Sequence, residues 1–198
     1  MTTNAIEVAI LGLGRVGTSV GLALERYNAR KNAKQKFQVV GFDPRPGVAP
    51  AAEKMGALQH TVRNAYDAVA GKDVVFIAMP YAEVEMTFRE IADGLREDAV
   101  VLDASSLKTP SLEWRAKLLP AHAHLVGVTP VVNPRYLFDG LDDTEHAAVD
   151  FFDEGFMLVM PDPRAAKAAV ELATDFSSLL GATPHFLDPD EQDGLIAA

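Results

Sequence analysis

The chain has 198 residues, nearly half of them apolar and about a quarter charged, enough for one substantial globular domain with its own core. It contains no cysteine, which excludes disulfides, thiolate metal sites and cysteine nucleophiles and fits a reducing, cytoplasmic setting. A formal net charge of −10 argues against a protein that grips nucleic acid through its phosphates. The N-terminal stretch lacks a signal-peptide layout, and no apolar run reaches the roughly 18 to 20 residues that span a membrane, so neither nucleic acid nor membrane is an expected partner.

The first predicted strand is IEVAIL, residues 6–11. It is nearly continuous in apolar residues rather than alternating, the mark of a strand buried on both faces. Directly after it, Gly12, Gly14 and Gly17 stand in G-x-G-x-x-G spacing and open a helical stretch, RVGTSVGLALERY. That spacing is weak evidence alone and much stronger between a strand and a helix. Gly12 permits a tight turn, Gly14 leaves room for a pyrophosphate and Gly17 lets helix and strand approach closely. The helix N-terminus supplies N–H groups and a favourable dipole. Gly12, Leu13, Gly14, Arg15, Val16 and Gly17 are therefore candidate cofactor-binding residues.

A basic, polar segment (residues 28–36) leads into a second strand, FQVVGFD (37–43), which places Asp43 at its carboxyl end. An acid there can accept both ribose hydroxyls of an adenosine and repel a 2′-phosphate, which favours NAD over NADP. Arg45 pulls the other way, because an arginine just past this strand can pair with a 2′-phosphate. Helical stretches follow around a short third strand, and then DVVFIAM (73–79) ends in Ala78-Met79-Pro80, where the backbone can turn beneath a cofactor. Beyond another helix, AVVLDA (99–104) leads to DASSLK. Ligands of open α/β sheets lie at the carboxyl ends of strands, so Ser106 and Lys108 become candidates. Capping serines and a solvated first-turn lysine are the alternatives.

The helix PSLEWRAKLL precedes HLVGV (124–128), which breaks off at Thr129-Pro130. Arg135, just beyond, suits a substrate carboxylate or a solvated loop. The acidic segment 139–154 reads as a solvated loop or helix face. A strand, FMLVM (156–160), and a helix over 162–181, with Pro163 in its first turn and Gly181 as its stop, follow. From Asp188 onward a new helix begins and runs about two turns. Strand and helix alternating in this rhythm imply an α/β, Rossmann-like doubly wound, mostly parallel sheet. No metal-ligand spacing or nucleophile elbow occurs.

Taken in order, ILGLGRVGTSVGLAL, VVGFDP, DVVFIAMP, VVLDASSLK, HLVGVTP, AAVDFFDEGFMLVMP and DPDEQDGLIA resemble the prephenate and arogenate dehydrogenase family of tyrosine biosynthesis. The resemblance implies residues 1–187 as a dinucleotide-binding domain. It implies 188–198 as the truncated start of a helical dimerisation domain, hence a homodimer for the full-length protein. The implied reaction is oxidative decarboxylation of a small-molecule substrate with NAD, Ser106 and Lys108 lying beside substrate. The family's proton-handling histidine falls on Thr129, which makes Thr129 the third candidate catalytic residue. A second family histidine falls on Gln192. Threonine cannot take a proton at working pH, so a non-catalytic or repurposed NAD(P)-binding protein is the alternative. None of His60, His122, His124, His146 and His185 is positioned by the sequence to replace it.

Overall fold

Strands with apolar residues on both faces need cover from both sides, and the computed structural model, which describes residues 5–197, provides it. The strands are β1 (Ile6–Leu11), β2 (Phe37–Phe42), β3 (His60–Thr61), β4 (Val74–Ile77), β5 (Val100–Asp103), β6 (His124–Val131), β7 (Phe156–Pro161) and β8 (Thr183–Phe186). The α-helices are α1 (Arg15–Asn28), α2 (Val48–Lys54), α3 (Ala65–Val69), α4 (Tyr81–Ile91), α5 (Thr109–Leu118), α6 (Lys167–Leu180) and α7 (Pro189–Ala197). All the strands join one sheet in the order β3-β2-β1-β4-β5-β6-β7-β8. It is parallel from β3 through β6, β7 runs antiparallel to β6, and β8 is parallel to β7.

Alternation along the strands feeds two cores. Val8, Ile10, Phe76, Leu102 and Val126 pack beneath α1 and α6, whose Leu24 and Phe176 reach down to them, and Phe76 stacks on Phe176. Ala9, Leu11, Ile77, Val101 and Leu125 point the other way, against Val84, Phe88 and Ile91 of α4. Because the order reverses between β1 and β4, the crevice above their carboxyl ends is the place where such sheets bind ligands.

Three local expectations change. Strand β6 does not stop at Thr129 but continues to Val131, because β7 pairs with it there, Thr129 opposite Leu158 and Pro130 opposite Met157. Its pairing with β5 has already ended at Gly127, so Pro130 sits where β6 has a single neighbour, as a strand proline must. Helix α6 begins at Lys167, not at 162. Asp162 closes a turn instead, accepting from the Ala165 and Arg164 N–H groups, and Pro163 lies in that turn. Gly181 does terminate α6, at φ +110°. Residues 183–186, unmarked in the sequence, form β8 as the sheet's edge. Among the described residues, no helix is long and apolar enough to cross a membrane.

Candidate functional site

The turn from β1 to α1 is fixed by its glycines. Gly12 adopts φ +88°, and a Cβ there would collide with the Ala78 carbonyl at the end of β4. A Cβ on Gly17 would strike the Gly12 carbonyl. Gly14 is the N-cap of α1 and brings no side-chain cap to the helix, so the N-terminal N–H groups depend on other partners.

Asp43 is buried at the end of β2 and its carboxylate holds this turn in place. It accepts the Leu13 N–H at 2.7 Å, the Arg45 N–H at 2.9 Å and the Arg45 guanidinium at 2.7 and 2.9 Å. Burial pushes the Asp43 carboxyl up, but hydrogen bonds from Arg45 and Leu13 outweigh it and keep the group below the usual carboxylate range. A small cavity of about 30 Å³ opens between Gly12, Asp43, Arg45, Met79 and Pro80. It adjoins a mainly apolar slot of about 170 Å³ walled by Leu11, Phe42, Met79 and Met86, with Glu83 and Glu90 also on its lining. An acid at the end of β2, a side-chain-free N-cap and this slot together suit an adenosine diphosphate moiety.

The acidic segment is a largely exposed loop, as its charge suggested, and it lies across this same turn. The Arg15 side chain is buried; it forms a fork-like pair with Asp139, both contacts at 2.6 Å, and donates to the Leu141 and His146 carbonyls. Its guanidinium lies over the Tyr136 and Phe151 rings, 5.0 and 4.8 Å from their centroids. The Arg15 N–H donates to the Asp142 carbonyl at 3.2 Å, and the Thr144 hydroxyl donates to the Leu13 carbonyl at 2.6 Å. Arg15 holds the Asp139 carboxyl down to about 2. The signal in the sequence was Arg15 itself, a cation in an otherwise apolar turn that demands a counter-charge.

At the end of β5, Ser106 is exposed, while Ser105 is buried and bonded to the buried Asp103 carboxylate at 2.8 Å. Lys108 is not a solvated lysine: it is 1 % exposed. Its chain crosses the face of β6 at Gly127, where a Cβ would come within 2.9 Å of it. Its ammonium donates to the carbonyls of Asp103 and Ser105, and burial pushes its pKa down. Thr129 lies two residues along the same face, its hydroxyl oxygen buried and without a hydrogen-bond partner. Ser106, Lys108 and Thr129 thus gather at neighbouring strand ends. Arg135 stands apart, paired with Asp150 at 2.8 Å.

Asp193 is a residue that the sequence reading missed. From α7 its carboxylate accepts the N–H groups of Lys108 and Thr109 at 2.7 and 2.9 Å, capping the start of α5, beside a buried Gln192. The histidines are engaged elsewhere: His122 with the Leu95 carbonyl, His124 with Asp98, His146 with Asp143, and His185 against Phe156. His60 pairs in β3 at the far edge of the sheet.

Comparisons with known proteins agree with this architecture. The chain is 26% identical over 192 residues to the prephenate dehydrogenase of Bacillus subtilis (strain 168), covering 95% of this chain and 48% of that protein. It thus spans about half the length of that relative. A crystal structure of prephenate dehydrogenase from A. aeolicus, solved with hydroxyphenyl propionate and NAD+, superposes with a TM-score of 0.83 at 18% identity. That match covers 100% of this chain and 65% of the other. Synechocystis arogenate dehydrogenase gives a TM-score of 0.82 at 16% identity, covering 97% and 63%. The profile of the prephenate dehydrogenase nucleotide-binding domain matches residues 27–184, some four-fifths of the sequence, and the chain belongs to that family.

Proposed function

We propose that this chain is the cofactor-binding part of an NAD-dependent dehydrogenase that oxidises and decarboxylates a prephenate- or arogenate-type ring acid. The carrying observation is the buried Asp43 carboxylate bonded to the Leu13 N–H of the glycine turn, in a chain of this family. In this reading residues 12–17 and the α1 N-terminus hold the diphosphate, and Asp43 takes the adenosine ribose in exchange for the Arg45 guanidinium that now occupies its carboxylate. That hydrogen bonding favours NAD over NADP, while Arg45, now spent on Asp43, is the group through which a 2′-phosphate would compete. Ala78, Met79 and Pro80 flank the path toward the nicotinamide end.

Bound nicotinamide supplies the hydride acceptor; the protein's own groups orient the substrate. Ser106 presents an exposed hydroxyl beyond the end of β5 to the ring hydroxyl, and Thr129, whose own hydroxyl is buried, occupies the adjacent strand end where the family has its histidine. Lys108 acts as a positioning residue, its ammonium fixing the carbonyls that shape the Ser105–Ser106 turn. Arg135 serves a substrate carboxylate by exchanging it for Asp150. Residues 188–198 begin the helical domain through which the full-length protein forms a homodimer, a cytoplasmic enzyme by this reading.

Thr129 supports a second reading, in which the protein keeps the nucleotide fold without this turnover. Its hydroxyl can donate or accept a hydrogen bond but cannot take a proton near neutral pH, and general-base help is typically worth about 10²–10⁴-fold. The product of the natural gene, assayed with prephenate, arogenate and NAD, decides between them. NADH from either substrate supports the enzyme; none from either sinks it. Thr129→His then reports the missing base. A gain within that range marks a weakened enzyme, and no gain a binding role or another substrate.

A further inference from the structure

We propose that residues 139–148 form a latch closed over the glycine turn, and that a dinucleotide must lift it to bind. The inference rests on the nucleotide reading above and adds to it a self-occluded resting state.

The latch holds the donors that a diphosphate would use. The Asp142 carbonyl already accepts the Arg15 N–H, one of the first N–H groups of α1. It also lies 3.4 Å from where a Cβ on Gly14 would stand. The open space above Gly14, the feature that lets a phosphate approach the backbone, is therefore filled by the protein's own carbonyl. The Arg15 guanidinium is committed to Asp139, to two latch carbonyls and to the faces of two rings. Further along, Thr144 bonds the Leu13 carbonyl, and the Ala148 N–H bonds the Ser19 hydroxyl at 3.0 Å. Asp139 and Asp142 also place negative charge where a diphosphate would bring more of the same sign.

The latch is built to open without disturbing the core. Asp139–Asp143, Glu145 and His146 are exposed, and Thr144 is the buried residue between them. At its base, Asn133 bonds the Phe151 and Asp150 carbonyls, so the lifting segment has a fixed root. Little buried apolar surface, with hydrogen bonds that reach only the glycine turn and the start of α1, is the property of a segment at the low end of local stability.

A closed latch lowers apparent affinity by the fraction of molecules that are open. The test is NADH binding, measured by calorimetry, for the parent protein, Asp139→Ala, Thr144→Val and Glu145→Gln. The first two remove anchors, one charged and one neutral; the third removes a latch charge that holds nothing. Both anchor variants are expected to tighten NADH binding by roughly 3- to 10-fold, as for a competent state held in the minority, and Glu145→Gln by clearly less. In the parent protein, NADH is expected to speed hydrogen exchange in 139–147 while slowing it in 12–17. If Asp139→Ala fails to fold, Thr144→Val carries the test alone. NADH binding to the parent protein that is unchanged or weaker in the anchor variants overturns the latch and leaves the nucleotide reading standing. An equal gain in Glu145→Gln also overturns it, as a bulk charge effect. No NADH binding by any of these proteins overturns both.

Discussion

Asp43 and Asp139 are both carboxylates paired with an arginine next to the same turn, yet they do opposite things. Asp43 braces the turn from within the sheet, its carboxylate bonded to Leu13 and Arg45 beside the small cavity that it helps to line. Asp43→Asn is expected to weaken NADH binding by about tenfold or more, the size of losing a charged hydrogen bond, and to affect NADPH much less. Paired titrations of the two nucleotides check it. Asp139 reaches the turn from outside, and its depressed pKa gives its bond a pH window. A carboxyl held below its unfolded value contributes fully above about 4 and loses that contribution as pH falls toward its folded value of about 2. Arg15 and His146 favour its charge, with Asp142 and Asp143 nearby as like charges. The Arg15 side-chain N–H resonances are expected to shift and broaden within that window, and a flat titration would contradict the pairing. The glycine spacing and Asp43 were legible in the sequence because each is local to its own strand end. The Arg15–Asp139 pair was not, since the two residues lie 124 positions apart and composition says only that 139–154 is acidic.

At the scale of elements, β1, β2, β4, β5, β6 and β7 were readable because burial on both faces leaves nearly continuous apolar runs. The far edge was not: β8 is short and largely exposed, so it carries no such signature. The Thr-Pro at the end of β6 pointed to a strand end, and only the antiparallel partner β7 shows why the strand runs on. The burial of Lys108 was hidden for a similar reason, since its channel is created by the missing side chain of Gly127 on another strand. Gly127→Ala is expected to destabilise the fold by about 1–3 kcal/mol, the usual cost of forcing an extra carbon into a packed site. Denaturant unfolding measures it. The start of α5 depends on Asp193 in the same concrete way. Asp193→Ala is expected to cost about 0.5–2 kcal/mol, the range for losing an N-cap, with faster exchange at the Lys108 and Thr109 amides as its signature.

For the whole molecule, nucleotide binding and stability are one measurement. A ligand that binds only the folded state at a hundred times its Kd adds about 2.7 kcal/mol. For a chain of this size that amounts to roughly 5–10 °C in Tm. NADH is expected to give such a shift and NADPH a smaller one at equal concentration; no shift at saturating NADH would count against the nucleotide reading. The sheet order, the two cores and the crevice above β1 and β4 all support the same site, although the sequence alone divides the chain at residue 187.

That division is less clean than it looks. Asp193 sits on the far side of it, yet grips the peptide N–H groups where the Ser105–Ser106 turn becomes α5. Helix α7 is therefore a handle on the start of α5 and the turn that precedes it. A pull on α7 passes through two hydrogen bonds into the backbone of Lys108, and from its ammonium into the carbonyls behind Ser106. Anything that docks on or shifts α7 can retune this corner of the sheet, the substrate end in the proposed reading, from outside and without touching it.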